Sequence, residues 1–528
     1  MNKITRRAAA AVLSVLSLAA STAALGQNTV LRIVPHSNLA ILDPIWTTAY
    51  MSRNHGYMIY DTLFGTDENA KIKPQMVESW TESLDHRLWT FKLRKGLEFH
   101  DGKPVTGEDV MASLQRWGKR DAMGSALMQF VQRMDSPAPD TFRIFLGEAC
   151  GFVLDALGKP SSVVPFIMPK RIADTDPFKQ IEEHIGSGPY TFKKDEFKPG
   201  DKAVYLKNTK YVPRSEPPSG STGGKRVYVD RVEWNLALRD AQAQVNALQK
   251  GEVDIIEQLS FDHYESVKAD ANLQLPKTDK FGLQYMARFN HLQKPFDNVR
   301  VRQAALAAFS QEPFLRAQVG VKALYRPCAS MFVCGTPFGT TAGSDIQSKS
   351  NMKKAQDLLK ASGYDGTPIV IMKPTDLASI QKLPDVAAQL LRQAGFKVDL
   401  QAMDWQTLVG RRAKKDSVDK GGWHMFLTAW QAFDVWNPIS NPAMDTRGEK
   451  STWFGWATDD KLVDLRNQFM RATDDATKKK LAGEIHVRAF EIATHAPLGE
   501  FDAPMAARKN ISGFFVTNGN MYWNLKKE

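Results

Sequence analysis

MKKAQDLLKASGYDGTPIVIM, residues 352–372, and PDVAAQLLRQAGFKVDLQAM, residues 384–403, decide the fold. Each begins with apolar residues at helical spacing and stops at a glycine, Gly363 or Gly395. Each then turns to a short β-rich run; Phe396, Val398 and Leu400 alternate. Helix, glycine stop and strand form the repeating unit of an α/β sheet, because only glycine enters the left-handed cap without strain. DAQAQVNALQKGEVDII, residues 240–256, repeats the pattern at Gly251. The two successive units predict an α/β lobe from about Asn298 to His495.

A chain of 528 residues suits two or three domains, and 43% hydrophobic with 24% charged residues is ordinary for a globular core. No interior apolar run approaches the roughly 20 residues of a membrane helix. The N-terminus differs. Lys3, Arg6 and Arg7 precede an apolar run from Ala8 to Ala20, then small residues. That order predicts a secretory signal over residues 1–26, with a membrane anchor as the rival reading. Arg6-Arg7 matches twin-arginine export only weakly, and no cysteine near the cleavage region suits a lipid anchor. Net charge is +11, and removing those three cations leaves +8. The basic residues are dispersed, so a solvated surface is expected and no nucleic-acid partner.

Strands are expected at VLRIV, at LWTFKLRKGLEF with Trp89, Phe91 and Leu93 on one face, and at GPYTF paired with KAVYLKN. Thr106 and Asp109 have capping-box spacing at a helix start. PRSEPPSGSTGG, residues 213–224, is expected to be an exposed loop. Its tail resembles a phosphate loop, but the glycine spacing fails and Arg226 stands where Ser or Thr is needed. Cys328 and Cys334 bracket a short loop that an oxidising compartment would close as a disulfide; zinc would need further ligands, and no histidine flanks the pair. Cys150 is expected to be a buried small hydrophobe.

HExxH, GxSxG and GxGxxG are absent. Asp459-Asp460 and Asp474-Asp475 suit helix starts better than an acid–base pair. No catalytic, metal or cofactor site is expected. The richest segment is AWQAFDVWNPISNP, residues 429–442, read as a loop from its prolines and asparagines. Its large aromatics Trp430, Phe433 and Trp436 would each forgo about 1.5–3 kcal/mol if left wet. They must pack into a lobe or wall a pocket. Asp434 among them caps a turn or meets a cation.

LRKGLEFHDGKPVTGEDVMASLQRW, GSGPYTF, ALQKGEVDI, KPFDNVRVRQAALAAF (residues 294–309) and ILDP occur in an order that resembles the bacterial extracellular solute-binding proteins of family 5. These are the dipeptide-, oligopeptide- and nickel-binding proteins of ABC transporters. The resemblance implies an α/β, two-lobed periplasmic-binding-protein clamp, type II-like, cluster C, with an extra subdomain in lobe one. It implies lobe one at 27–285 with an insertion at about 69–185, lobe two at 286–498, and a return to lobe one at 499–528. FGLQYMARFN (281–290) and HAPLGEF (495–501) are the implied crossings. The implied function is capture of a peptide-like or other small polar, cationic solute, delivered by a periplasmic monomer to a membrane permease. In peptide-binding relatives an acid shortly after a Trp in this region meets the peptide amine; here Asp434 comes one residue late and Phe433 takes that slot. Asp434, Trp430, Phe433, Trp436, Trp405 and Trp46 are the implied ligand contacts, and the Cys328–Cys334 loop is implied to lie toward the cleft. A secreted hydrolase and a carrier of a metal chelate or haem are the alternatives.

Overall fold

In the computed structural model, the described residues are 29–451, 453–517 and 519–528. The expected signal peptide, residues 1–26, lies outside them. The described residues form two main sheets and a smaller inserted one. In lobe one, Val30–Val34 runs parallel to Arg231–Asn235 on one side and Ile255–Ile256 on the other. Tyr190–Phe192 and Lys202–Lys207 extend one edge. Ala506–Arg508 and Leu273–Gln274 extend the other, so the C-terminal segment does return to this sheet. The insertion is a four-stranded antiparallel sheet between Val77 and Leu146, with Trp89, Phe91 and Leu93 buried as alternation requires. Helix Gly107–Arg120 covers it, opened by the Thr106–Asp109 capping box.

Lobe two holds six strands, with Leu283–Phe289 paired to His495–Phe501 on one side and Met425–Gln431 on the other. Ile369–Pro374 and Val398–Met403 run parallel at its edge. Gly363 and Gly395 both have φ near the left-handed region, at 73° and 100°, which ends the helices Met352–Ala361 and Leu383–Gln393 before those strands. Asp459 and Asp474 cap the helices Asp460–Arg471 and Asp475–Ile492.

Three sequence expectations change. The strands expected as lobe crossings lie wholly inside lobe two's sheet, and every residue of Leu283–Phe289 and His495–Phe501 is buried. The chain therefore crosses before Leu283 and after Phe501, which moves the boundaries of 285 and 498. Both strands are buried along their whole length, polar residues Gln284, Arg288, His495 and Glu500 included, so neither shows the change of pattern that would mark where a lobe ends. Second, the Pro213–Gly224 loop is exposed only in its first half. Ser221 is buried and its backbone N–H donates to the Thr66 carbonyl, while buried Lys225 pairs with Asp61 at 2.7 Å. Third, residues 429–431 complete a strand, so the loop begins at Ala432.

Candidate functional site

Lobes one and two line a partly open cavity of about 1470 Å³. One wall comes from the N-terminal segment and the insertion, with Trp46, Thr48, Arg120 and Phe178. The other comes from helix Trp405–Arg411, which presents Gln406, Val409 and Gly410, and from Trp453, Phe454 and Trp456. Its charged lining is one-sided. Lys119, Arg120, Arg133, Lys415 and Lys450 face a single carboxylate, Glu449. Arg133 is paired with Asp135 and Lys415 with Glu449, so neither is a free cation. Arg120 has no carboxylate partner among the described residues; it donates to the Trp46 carbonyl and lies 4.5 Å from that ring and 5.3 Å from Phe178. This electrostatic surface does not suit the cationic solute expected from sequence.

A smaller pocket of about 50 Å³ adjoins it, and Thr48 lines both. Its walls include Tyr50 from lobe one and Trp405, Arg412 and Trp430 from lobe two. Trp405 and Arg412 are seven residues apart, two helical turns, and so share a face. Trp430 sits edge-on to Tyr50 and Trp453, and its indole N–H is 3.1 Å from the Met286 sulfur. Of the sequence candidates, Trp46 thus lines the large cavity, and Trp405 and Trp430 the small one.

Asp434, Phe433 and Trp436 line neither. Phe433 and Trp436 stack on one another at 5.2 Å and both meet Phe281 edge-on. The turn after Gln431 folds back over the segment that enters lobe two, and the rings bury there. Asp434 is fully buried. Its Oδ2 accepts from the Tyr50 hydroxyl at 2.6 Å and the Ser161 hydroxyl at 2.9 Å, both from lobe one. Tyr50 in turn accepts from the Gln431 backbone N–H, and Arg53 donates to the side chains of Ser161 and Gln431. These bonds tie the closed lobes. Burial pushes the Asp434 carboxyl above its ordinary range, against the attraction of Lys159 and Arg53 and the two hydroxyl bonds. Its Oδ1 has no hydrogen-bond partner among the described residues.

Cys328 and Cys334 are disulfide-bonded in lobe two. The Met331 N–H donates to His486, so their loop packs on helix Asp475–Ile492 and lines neither cavity. Cys150 is buried and free, and burial pushes its thiol up to about 11.

Sequence reasoning missed Tyr50, Arg120, Arg412 and the WFGW run at 453–456. The last carries the same aromatic signal as residues 429–436. Arg412 sits within RRAKK, where composition gives it no distinction.

The model of the family described as bacterial extracellular solute-binding proteins, family 5 Middle, matches residues 71–452. The chain is 37% identical over 524 residues to a probable peptide ABC transporter periplasmic-binding protein, y4tO, of Sinorhizobium fredii, covering 98% of this chain and 97% of that one. It is 25% identical to the glutathione-binding protein GsiB of Escherichia coli O6:K15:H31, over 95% of this chain and 94% of that protein. Its fold matches AgaA of A. tumefaciens R10 bound to agropinic acid, with TM-score 0.78, 21% identity and 94% and 99% of the two chains covered. It matches AppA of Bacillus subtilis bound to a nonapeptide equally well, with TM-score 0.78, 19% identity and 95% and 100% coverage. The chain belongs to the bacterial extracellular solute-binding proteins of family 5.

Proposed function

We propose that this protein is the periplasmic solute-binding component of an ABC importer, holding a peptide-like or other small polar solute between its lobes for delivery to a membrane permease. The observation that carries this reading is the cavity of about 1470 Å³ walled from both lobes. A solute there touches both walls only when the clamp is shut, so its binding favours closure. Trp46 supplies a flat apolar face to it, and Trp405 and Trp430 line the smaller pocket alongside. The protein acts as a monomer that binds without turnover. It reaches the periplasm through removal of the N-terminal segment before Asn28, and the intact mass of exported protein tests that step.

The deciding experiment is mass spectrometry of small molecules released from freshly purified protein, followed by calorimetric titration of the identified compound. Saturable, one-to-one binding with the compound recovered intact is expected. Its conversion during incubation would favour a hydrolase, and absence of saturable binding would end the carrier reading.

A further inference from the structure

We infer that Arg412 anchors a free carboxylate of the transported solute; this rests on the carrier reading above and specifies the chemistry of its ligand. Arg412 is only 3% exposed, yet no carboxylate among the described residues pairs with it. Among the described residues its side chain makes one hydrogen bond, Nη2 to the Thr48 hydroxyl at 3.1 Å, and Nε has no partner. The other buried arginines are held differently. Arg116 pairs with Asp43 and donates to three carbonyls, Arg466 pairs with Asp445, and Arg302 donates to the carbonyls of Phe296, Asp297 and Ile492. Arg53 and Arg288 each donate to three different residues. Arg412 instead lies among rings, 4.9 Å from Phe454, 5.7 Å from Trp405 and 5.9 Å from Phe426. Ring faces attract a cation but do not satisfy N–H donors.

An uncompensated buried guanidinium with a spare donor is costly unless something arrives to pair with it. Burial already lowers its pKa to about 10, though it stays protonated at neutral pH. The pocket of about 50 Å³ beside it has room for a group of one or two water-sized volumes. A carboxylate fits that space and matches the planar fork of a guanidinium. Thr48 lines both this pocket and the large cavity, which places the remainder of a solute anchored here on the side of the unpaired Arg120 and the cationic rim. Because Arg412 belongs to lobe two and Thr48 to lobe one, an anion seated here is held at the seam that closure creates.

The test uses mature protein freed of solute by unfolding and refolding. A panel of dipeptides, tripeptides, sugar acids and acylated amino acids is titrated by calorimetry, each beside its carboxamide. In the wild type, binders are expected to carry a free carboxylate and the amide to bind about tenfold or more weakly. Arg412→Gln should bring the acid-to-amide ratio close to one, and Arg412→Lys should keep a reduced preference. A general structural defect would weaken both members of a pair and leave the ratio unchanged. Equal binding of acid and amide by wild type, which needs no variant to fold, overturns the inference alone. So does retention of the acid preference in Arg412→Gln. Failure of every panel member to bind overturns the carrier reading and this inference with it.

Discussion

Replacing Asp434 with alanine should open the clamp. In the closed form the carboxylate accepts two hydroxyl bonds from lobe one, from Tyr50 at 2.6 Å and Ser161 at 2.9 Å. In an open form those hydroxyls and the carboxylate meet water. Two net bonds of about 1–1.5 kcal/mol each amount to about 2–3 kcal/mol. That shifts the closed-to-open ratio by about 30- to 150-fold, and where the open form dominates without solute the same factor appears in Kd. Asp434→Asn should cost far less, since both hydroxyls donate to the single oxygen Oδ2, which an amide oxygen can replace, and since it removes a carboxylate whose burial is unfavourable. The pH dependence has a definite sign. The closed form raises this pKa, so it binds the proton more tightly than the open form does. The proton-linked part of closure is fully present below the open-state value of about 3.9 and is lost as pH rises through the raised closed-state value, while the two hydroxyl bonds to the carboxylate persist above it. Calorimetric titration with the released solute gives Kd, small-angle scattering gives the closed fraction, and melting of solute-free protein checks folding. Alanine binding within about threefold of wild type would refute the latch. Equal losses in the alanine and asparagine variants would show instead that the charge meets a ligand amine.

Asp445 is buried against Arg447 and Arg466, and the Arg447 hydrogen bonds and both cations hold its carboxyl at about 2 despite burial. Its contribution of about 2 kcal/mol is present above the unfolded value near 3.9 and should vanish as pH falls toward 2, so Asp445→Asn should flatten the acid limb of the melting curve. Replacing Cys328 and Cys334 with serine should lower stability by about 2 kcal/mol, read from denaturant midpoints, because the loop closed is short; midpoints equal to wild type would contradict this. Thr106→Ala, which removes the cap of helix Gly107–Arg120, should cost about 1 kcal/mol in stability and leave solute affinity unchanged. Trp405→Ala should weaken solute binding while Trp436→Ala, which acts on a ring cluster away from both cavities, should lower the melting temperature without changing affinity.

The sequence by itself determined the local structure. Gly363 and Gly395 mark helix ends because the left-handed cap depends on the residue alone, and Trp89, Phe91 and Leu93 mark a strand because alternation is a property of neighbours. The segment order was enough to resemble a family, and so to imply two lobes. Only the tertiary structure decided which side chains meet. Asp434 and Tyr50 are 384 residues apart, and the hydroxyl that makes the carboxylate a latch is not signalled anywhere near it. Aromatic content did show that residues 430–436 must be buried, but burial against Phe281 and burial against a solute produce the same composition. Arg412 shows the converse. Nothing in RRAKK separates it from its basic neighbours, because what sets it apart is a carboxylate that is not there. A missing partner can be recognised only when the whole surrounding shell is in place.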